Sequence, residues 1–164
     1  MPVPPAETIP PVVKTVTVDC TPEEAFRYFT ADFGKWWPLA THSCIAFSSG
    51  HTQKPSTCTF EQRQGGRIFE TGASGEEHTW GTVLSWEPPA RVVFTWHPMG
   101  EERTAQTVEV RFTAARGGTE VVLTHGDWER LGELARQARD GYDQGWESVF
   151  GLSYAEYARG RAAA

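Results

Sequence analysis

Residues 140–159, near the C-terminus, read DGYDQGWESVFGLSYAEYAR, and this pattern shapes the architecture more than any other segment. Large apolar side chains recur there at intervals of three, four and seven residues, which is typical of one face of an α-helix. This stripe consists of Tyr142, Trp146, Val149, Phe150, Ser153 and Tyr157. The pattern predicts a long helix over residues 140–159, about 30 Å in length, with a separate helical piece over residues 129–139.

Upstream of this helix, most of the chain shows the period-two alternation of β-strands. Short turns rich in Gly or Pro join the last six predicted strands in pairs, which favours antiparallel hairpins. The predicted strands are residues 12–18, 56–62, 67–71, 78–86, 91–97, 106–113 and 119–125. A single antiparallel sheet has one face to bury, and only the long helix is large enough to cover it.

The segment between the first two strands predicts short helices and a loop. Thr21-Pro22-Glu23-Glu24 combines a capping hydroxyl, a proline at the first helical position and acidic residues in the first turn. A second turn ends in Trp36-Trp37-Pro38, and residues 39–56 lack periodicity. The predicted fold class is therefore α+β, with a bent antiparallel sheet wrapped around a C-terminal helix. We expect one domain over residues 12–160 after an extended, Pro-rich tail over residues 1–11.

Composition excludes several classes of function. The chain has 164 residues and a formal net charge of −6, with no basic run, which argues against nucleic acid and anionic membrane surfaces as partners. The N-terminus does not resemble a signal peptide, and the three cysteines form no CxxC motif, so reduced thiols in a cytoplasm are expected. The Ala- and Arg-rich end hints at a GC-rich bacterial genome.

Motifs for metals and cofactors are not apparent in the sequence. His42, Cys44, His51 and Cys58 lie in one segment, but their spacings do not match a structural zinc site. The motifs of nucleotide-binding loops, serine hydrolases and zinc proteases are absent from the sequence. We expect no metal and no cofactor.

The predicted inward face of the sheet is unusually rich in large rings. Alternation places Val92, Phe94 and Trp96 on one face of their strand, and it places His78, Trp80, Thr82, Leu84 and Trp86 together on another. Large rings pack with gaps, and a ring-lined gap between a sheet and a helix is a typical ligand pocket. The same pattern also fits a plain hydrophobic core, so both interpretations stay open.

Several of these segments together resemble the Hsp90-ATPase-activator-homologue-like (AHSA1-like) branch of the START-like, or SRPBCC, superfamily. The resemblance rests on VVKTVTV with Cys20-Thr21-Pro22-Glu23-Glu24-Ala25-Phe26, and on Trp36-Trp37-Pro38. It continues through Trp80-Gly81-Thr82-Val83-Leu84, Glu87-Pro88-Pro89, RVVFTW at residues 91–96, the segment from Thr119 to Gly126, and Gly145-Trp146. The resemblance covers about residues 12–158.

This resemblance implies a helix-grip fold, often with an apolar cavity between sheet and helix. Family members bind lipids, sterols, polyketides or plant hormones, some are cyclases or dehydratases, and others carry a chaperone-related name. Three functions are therefore expected as alternatives. They are binding of a small apolar or aromatic molecule, a cofactor-independent cyclase or dehydratase, and interaction with an Hsp90-type chaperone.

For the binding function, we expect the ligand to touch rings from sheet and helix. The candidate wall residues are Trp80, Phe94, Trp96, Phe112, His125, Tyr142, Trp146, Phe150 and Tyr154, and the candidates for a mobile gate are Trp37, His42 and Phe47. For an enzyme, His125 or His97 would be the general base, with Asp127 or Tyr142 orienting it. Surface tryptophans would also be compatible with a homodimer.

Overall fold

The computed structural model describes residues 8–162. Residues 1–7 of the predicted tail therefore lie outside the described part. Residues 8–11 form neither helix nor strand. Ile9 nevertheless packs against the core, and Arg139 donates hydrogen bonds to the carbonyl oxygens of Pro10 and Pro11.

A seven-stranded antiparallel sheet forms the body of the fold, in the order β1-β7-β6-β5-β4-β3-β2. Its strands are β1 (Val12–Val18), β2 (Pro55–Phe60), β3 (Arg67–Gly72), β4 (Glu77–Glu87), β5 (Arg91–Trp96), β6 (Gln106–Ala115) and β7 (Gly118–Gly126). Every predicted strand is present, and the hairpin pairing between consecutive strands is confirmed. The first strand, β1, pairs antiparallel with the last strand, β7.

Helices cover one face of the curled sheet. They are α1 (Pro22–Thr30), α2 (Phe33–Trp36), α3 (Cys44–Ser48), α4 (Ala135–Ser148) and α5 (Ala155–Ala162). A π-helical turn, Val149–Tyr154, joins α4 to α5 without a break. We call this continuous unit the C-terminal helix. The predicted helix-grip arrangement is confirmed, and none of the helices in residues 8–162 is long and apolar enough to cross a membrane.

The C-terminal helix begins earlier than the sequence pattern predicts. Residues 128–134 form a 3-10 segment, and the α-helix starts at Ala135 rather than at residue 140. Gly141 and Gly145 each cost about 1 kcal/mol relative to alanine, which is why the sequence suggested a later start. The packing of Ala135, which is 1% exposed, and of Ala138 against the core outweighs this cost.

The loop predicted over residues 39–56 contains the short helix α3. Ser43 caps this helix by accepting a hydrogen bond from the Ala46 amide. Five residues are too few to show a helical period, so the pattern contains no signal for it. By contrast, the cap predicted at Thr21 is confirmed, because Thr21 and Glu24 form a reciprocal capping box.

Strand β4 carries two bulges that change which side chains face inward. Ile68 pairs with Gly81 and Phe69 with Thr79, so Trp80 is an extra residue opposite β3. A second register shift, against β5, lies at Leu84. Leu84 is consequently 44% exposed while Val83 is buried, which corrects the prediction of one shared face from His78 to Trp86.

Gly81 is required between these two bulges. A Cβ atom on residue 81 would lie 1.8 Å from the Thr95 carbonyl oxygen, so β4 and β5 approach too closely there for any side chain. The Thr95 hydroxyl accepts a hydrogen bond from the Thr82 amide, and the Trp80 carbonyl accepts one from the His97 amide. This arrangement fixes the backbone that carries Trp80 on the inner face of the sheet.

Candidate functional site

A cavity of about 420 Å³ lies between the C-terminal helix, the segment from Trp37 through α3, and strands β4 and β5 with the turn after β5. Ligand pockets in proteins typically measure about 300–1,000 Å³. Its wall consists of Trp37, Thr41, His42, Ser43, Cys44, Phe47, Trp80, Trp96, Pro98, Met99, Ala138, Gly141, Tyr142, Gly145, Trp146 and Val149. The cavity volume falls within this range, and its wall combines rings with a few polar groups.

Small residues on the C-terminal helix create this space. Ala138, Gly141 and Gly145 follow one another at helical spacing on the face that meets the cavity. A Cβ atom at Gly141 or Gly145 would have no neighbouring atom within 4 Å. Further along the same helix, Phe150 and Tyr154 instead fill the space against Phe29. The helix therefore closes one half of the concave face and leaves the other half open.

Four indole rings cluster in the wall of the cavity. Trp37 lies 5.0 Å from Trp80 and 5.7 Å from Trp96 between ring centroids. Trp96 lies 5.8 Å from Trp80 and 5.6 Å from Trp146. Trp80 and Trp96 are each 1% exposed and Trp146 is 3% exposed, whereas Trp37 is half-buried, so Trp37 presents most of the indole surface that is accessible from the cavity.

The mouth of the cavity carries exposed side chains. Phe47 from α3 is 68% exposed, and Met99 from the turn after β5 is 56% exposed. His42 lies beside them, with Nδ1 2.8 Å from the Thr41 hydroxyl, and its carbonyl oxygen accepts the Trp37 indole N–H at 3.0 Å. Partial burial lowers the pKa of His42 below its usual value, which favours the neutral ring at pH 7.

A buried carboxylate fixes the α3 side of the mouth. Glu70 on β3 is 0% exposed and accepts hydrogen bonds from the Ser43 hydroxyl and from the amides of Cys44 (2.8 Å) and Ile45 (3.3 Å). It satisfies donors at the first turn of α3, which the helix itself cannot pair. Sequence reasoning did not single out Glu70, because its partners are more than twenty residues away along the chain.

The thiol of Cys44 forms part of the cavity wall, but it is not a reactive group. Burial, and secondly the charge of Glu70, raise the pKa of Cys44 to about 12. The same two causes raise the pKa of Cys58 to about 12. Since the thiolate is the nucleophile, both side chains behave as small apolar residues at neutral pH. Among residues 8–162 no group of three or more His, Cys, Asp or Glu side chains is placed to hold a metal ion.

The structure brings together part of the predicted site. Seven predicted residues line the cavity: Trp37, His42, Phe47, Trp80, Trp96, Tyr142 and Trp146. Four others pack in the filled half of the core instead: Phe94, Phe112, Phe150 and Tyr154. Tyr154 is fixed there by a 2.7 Å hydrogen bond from its hydroxyl to the Ala25 carbonyl oxygen.

His125 lies behind the cavity wall and supports it. It is 0% exposed, its Nδ1 accepts the Trp146 indole N–H at 3.0 Å, and its Nε2 lies 3.3 Å from Gln106 Oε1. The ring stacks on Trp128 at 4.0 Å. Burial lowers the pKa of His125 to about 3, so the ring is neutral and both its nitrogens are occupied.

The residues suggested for general-base chemistry are therefore not grouped at the cavity. His97 and Asp127 do not belong to its wall, and Asp127 accepts a hydrogen bond from Thr107 on the outside of the sheet at 2.6 Å. Tyr142 does line the cavity, and burial raises its pKa to about 12. The titratable groups on the wall itself are His42, Cys44 and Tyr142.

Comparison with known proteins assigns the family. The model of the family described as Activator of Hsp90 ATPase homolog 1-like protein matches residues 19–154. This chain belongs to that family. The matched range includes every residue of the cavity wall. Comparison with curated proteins gives no significant match.

Solved structures of other proteins share the fold. CalC, a self-sacrificing resistance protein from Micromonospora echinospora, is 25% identical, with a TM-score of 0.66 over 93% of this chain and 96% of that chain. Txn09, an anthrahydroquino-γ-pyrone synthase, is 29% identical, with a TM-score of 0.60 over 91% and 97%. Protein NE0264 from Nitrosomonas europaea is 13% identical, with a TM-score of 0.62 over 94% of each chain, and shows the fold alone.

His125 predicts a specific pH dependence of stability. The unfolded chain binds a proton at this residue below about pH 6.5, whereas the folded chain does so only near pH 3. Stability from the neutral ring is therefore complete above pH 6.5 and falls as the pH drops towards 3, with a slope of up to about 1.4 kcal/mol per pH unit. The free energy of unfolding, measured by urea titration at each pH between 7 and 4, should fall less steeply with decreasing pH for His125→Gln than for the wild type.

If the free energy of unfolding depends on pH equally in the two proteins, this account is contradicted. If His125→Gln does not fold, NMR titration of the wild-type ring gives the same information. Its Nδ1 and Nε2 shifts should then remain those of a neutral imidazole at pH 5.

The hydrogen bonds of Glu70 predict that this side chain holds α3 in place. In Glu70→Ala the amides at the start of α3 lose their acceptor, and the free energy of unfolding should fall by about 1–3 kcal/mol. Alkylation of Cys44 by N-ethylmaleimide, located by peptide mass spectrometry, should become faster because α3 detaches. Glu120→Ala removes an exposed carboxylate from β7 and should change neither quantity. Unchanged Cys44 protection in Glu70→Ala would show that α3 is held by other contacts.

Proposed function

We propose that this protein binds a small apolar or aromatic molecule in the cavity between the C-terminal helix and strands β4 and β5. The observation that carries the proposal is the open half of the concave face, where Gly141 and Gly145 face indole rings across about 420 Å³. A protein that needed only a core would gain stability by filling this space with larger side chains, as it does around Phe29.

The relatives support a small-molecule role. Txn09 is named as a synthase of an anthrahydroquino-γ-pyrone, and its structure is a complex with a molecule designated SUM. At 29% identity over most of both chains, this likeness favours a polycyclic aromatic ligand for the present protein. CalC, named as a resistance protein, shows that the fold also serves roles outside synthesis.

Filling the cavity tests the proposal. Gly145→Leu places a large side chain in the open space and should weaken binding of anthraquinone-2-sulfonate at least tenfold, measured by quenching of tryptophan fluorescence. Gly160→Leu is the matched control, since residue 160 is also helical with no neighbour within 4 Å of its Cβ position but lies outside the cavity wall. Both variants should be at least as stable as the wild type, because leucine favours helices more than glycine.

Mass spectra provide the second readout. Protein purified from its host should carry a bound mass in native spectra that disappears under denaturing conditions, and Gly145→Leu should lack it. Equal binding by Gly145→Leu and Gly160→Leu would refute the cavity as the site.

A cofactor-independent cyclase or dehydratase is the second candidate, favoured by the likeness to the synthase Txn09. In this case His42 is the base, because it is on the cavity wall and its lowered pKa keeps the ring neutral. A positioned general base contributes about 100-fold or more to the rate.

The enzymatic candidate is tested with a metabolite extract of the host. Wild-type protein should convert a component to a product lighter by one water, detected by liquid chromatography and mass spectrometry. His42→Gln should slow this conversion about 100-fold, and His51→Gln, which alters an exposed histidine outside the wall, should not. Unchanged conversion by His42→Gln would remove His42 as the base.

Two other partners expected from the sequence, an Hsp90-type chaperone and a second copy of the chain, stay predictions. The observations above concern the cavity rather than the outer surface, so they favour neither partner.

A further inference from the structure

The four tyrosine hydroxyl groups of this protein divide into two classes. Three donate a hydrogen bond to a protein acceptor: Tyr28 to the Glu24 carboxylate (3.3 Å), Tyr154 to the Ala25 carbonyl oxygen (2.7 Å) and Tyr157 to the Asp32 carboxylate (2.7 Å). The fourth hydroxyl, that of Tyr142, has no hydrogen-bond partner within residues 8–162. Tyr142 is also the tyrosine that lines the cavity.

The Tyr142 hydroxyl is accessible to water, in contrast to the unpaired indole N–H groups of the same wall. In the described part of the chain, the side-chain polar atoms that are both unpaired and shielded from water belong to Glu76, Trp80 and Trp96. The Tyr142 hydroxyl is unpaired but not shielded, and its side chain is only partly buried. Because this side chain lines the cavity, the accessible side of the hydroxyl faces the cavity.

Neighbouring side chains place this hydroxyl inside the cavity rather than at its mouth. The ring of Tyr142 packs on His125, with 4.8 Å between the ring centroids, and the hydroxyl lies beside the Trp96 indole and the Cys44 thiol. Trp96 and Cys44 are buried residues of the wall, whereas Phe47 at the mouth is exposed. A ligand that fills the cavity therefore contacts the hydroxyl.

The hydroxyl is a hydrogen-bond donor at neutral pH. Burial raises the pKa of Tyr142 to about 12, against a smaller lowering by the Trp96 indole N–H, so the hydroxyl stays protonated. Since that N–H is itself a donor, the hydroxyl proton points away from Trp96. The other two hydroxyls of the wall are already engaged, that of Thr41 with His42 Nδ1 and that of Ser43 with Glu70. Tyr142 therefore offers a free hydroxyl donor to the contents of the cavity.

This donor makes the cavity selective. Water can pair with the hydroxyl while the cavity is open to solvent, but a ligand that displaces this water must supply an acceptor or lose affinity. The cost of a donor left unpaired corresponds to about tenfold or more in affinity. The rings of the wall favour any apolar body of suitable shape, so the hydroxyl discriminates between ligands of equal shape.

We infer that Tyr142 determines the ligand specificity of this protein by donating a hydrogen bond to a carbonyl oxygen of an aromatic ketone or quinone. This inference rests on the proposed function, and it adds the chemical class of the ligand. A carbonyl oxygen fits better than a hydroxyl, because it carries no proton to direct at the neighbouring Trp96 N–H and Cys44 thiol. The ring system of the ligand then stacks on Trp37, the most accessible indole of the wall.

The test compares two ligands that differ in their carbonyl groups. Anthraquinone-2-sulfonate and anthracene-2-sulfonate share a three-ring frame and a charge, and only the quinone has carbonyl oxygens. Isothermal titration calorimetry should give an affinity for the quinone about tenfold higher in the wild type. Tyr142→Phe removes only the hydroxyl, so it should weaken binding of the quinone and strengthen binding of the anthracene, which brings the ratio close to unity.

Tyr28→Phe is the matched control, since it removes a tyrosine hydroxyl outside the cavity wall and should leave both affinities unchanged. The carbonyl stretching band of the bound quinone gives a direct readout of the hydrogen bond. In infrared spectra this band should lie at lower wavenumber in the wild type than in Tyr142→Phe. The free Tyr142→Phe protein should melt no lower than the wild type, whereas Tyr154→Phe, which loses the hydrogen bond to Ala25, should melt at a lower temperature.

The outcomes separate this inference from the function on which it rests. Equal affinity of the wild type for both ligands would overturn the carbonyl requirement and leave the binding function intact. A quinone preference and a carbonyl band that are unchanged in Tyr142→Phe would overturn the role of Tyr142. Failure of the wild type to bind either ligand would count against the proposed function itself.

A second variant keeps the inference testable if Tyr142→Phe does not fold. Replacement of Tyr142 by 3-fluorotyrosine retains the shape of the side chain and makes its hydroxyl a stronger donor. The carbonyl band of the bound quinone should then move to still lower wavenumber. An unmoved band in this protein would show that the Tyr142 hydroxyl does not pair with the carbonyl oxygen.

Discussion

The packing of the C-terminal helix against the concave face of the sheet is the constraint on which the rest of the structure depends. A curled antiparallel sheet has a deep apolar face, and one helix cannot fill it evenly. Around Phe29, rings from both sides meet at centroid distances of 5.3–6.5 Å and close the gap. At the other half of the helix, glycines face tryptophans and the gap stays open. The core and the cavity are thus two outcomes of the same contact, decided by side-chain size.

The mouth of the cavity depends on a polar interaction of a different kind. The segment from Thr41 to Ser48 buries Cys44 and Ile45, and the carboxylate of Glu70 holds its first helical turn. The arrangement satisfies helix donors that would otherwise be unpaired, and it brings His42 and Phe47 to the opening. His125 serves the opposite wall in a similar way, since it pairs with the indole of Trp146 and stacks on Trp128. Neither Glu70 nor His125 belongs to the cavity wall, so both support the wall from behind.

Sequence patterns predicted the seven strands and the covering helix because periodicity is a property of the sequence itself. They failed where geometry depends on contacts between distant residues. The bulges in β4 exchange Val83 for Leu84, and neither has a signal in the alternation. Of the aromatic candidates, Trp37, Phe47, Trp80, Trp96, Tyr142 and Trp146 line the cavity, whereas Phe94, Phe112, Phe150 and Tyr154 lie in the filled half of the core. The informative residues were Gly141 and Gly145. Their low helix propensity suggested a later helix start, but in the structure both lie within the helix and line the cavity.

Backbone contacts shape the cavity as much as side-chain size does. Gly81 lets β4 and β5 approach so closely that a Cβ atom at this position would lie 1.8 Å from the Thr95 carbonyl oxygen, and the adjacent bulge places Trp80 on the inner face of the sheet. Trp80 and Trp96 are each 1% exposed, so the β4–β5 wall is closely packed, whereas Phe47 and Met99 at the mouth are exposed. Because a closely packed wall cannot change shape cheaply, adjustment to the proposed ligand falls to the side chains of the mouth.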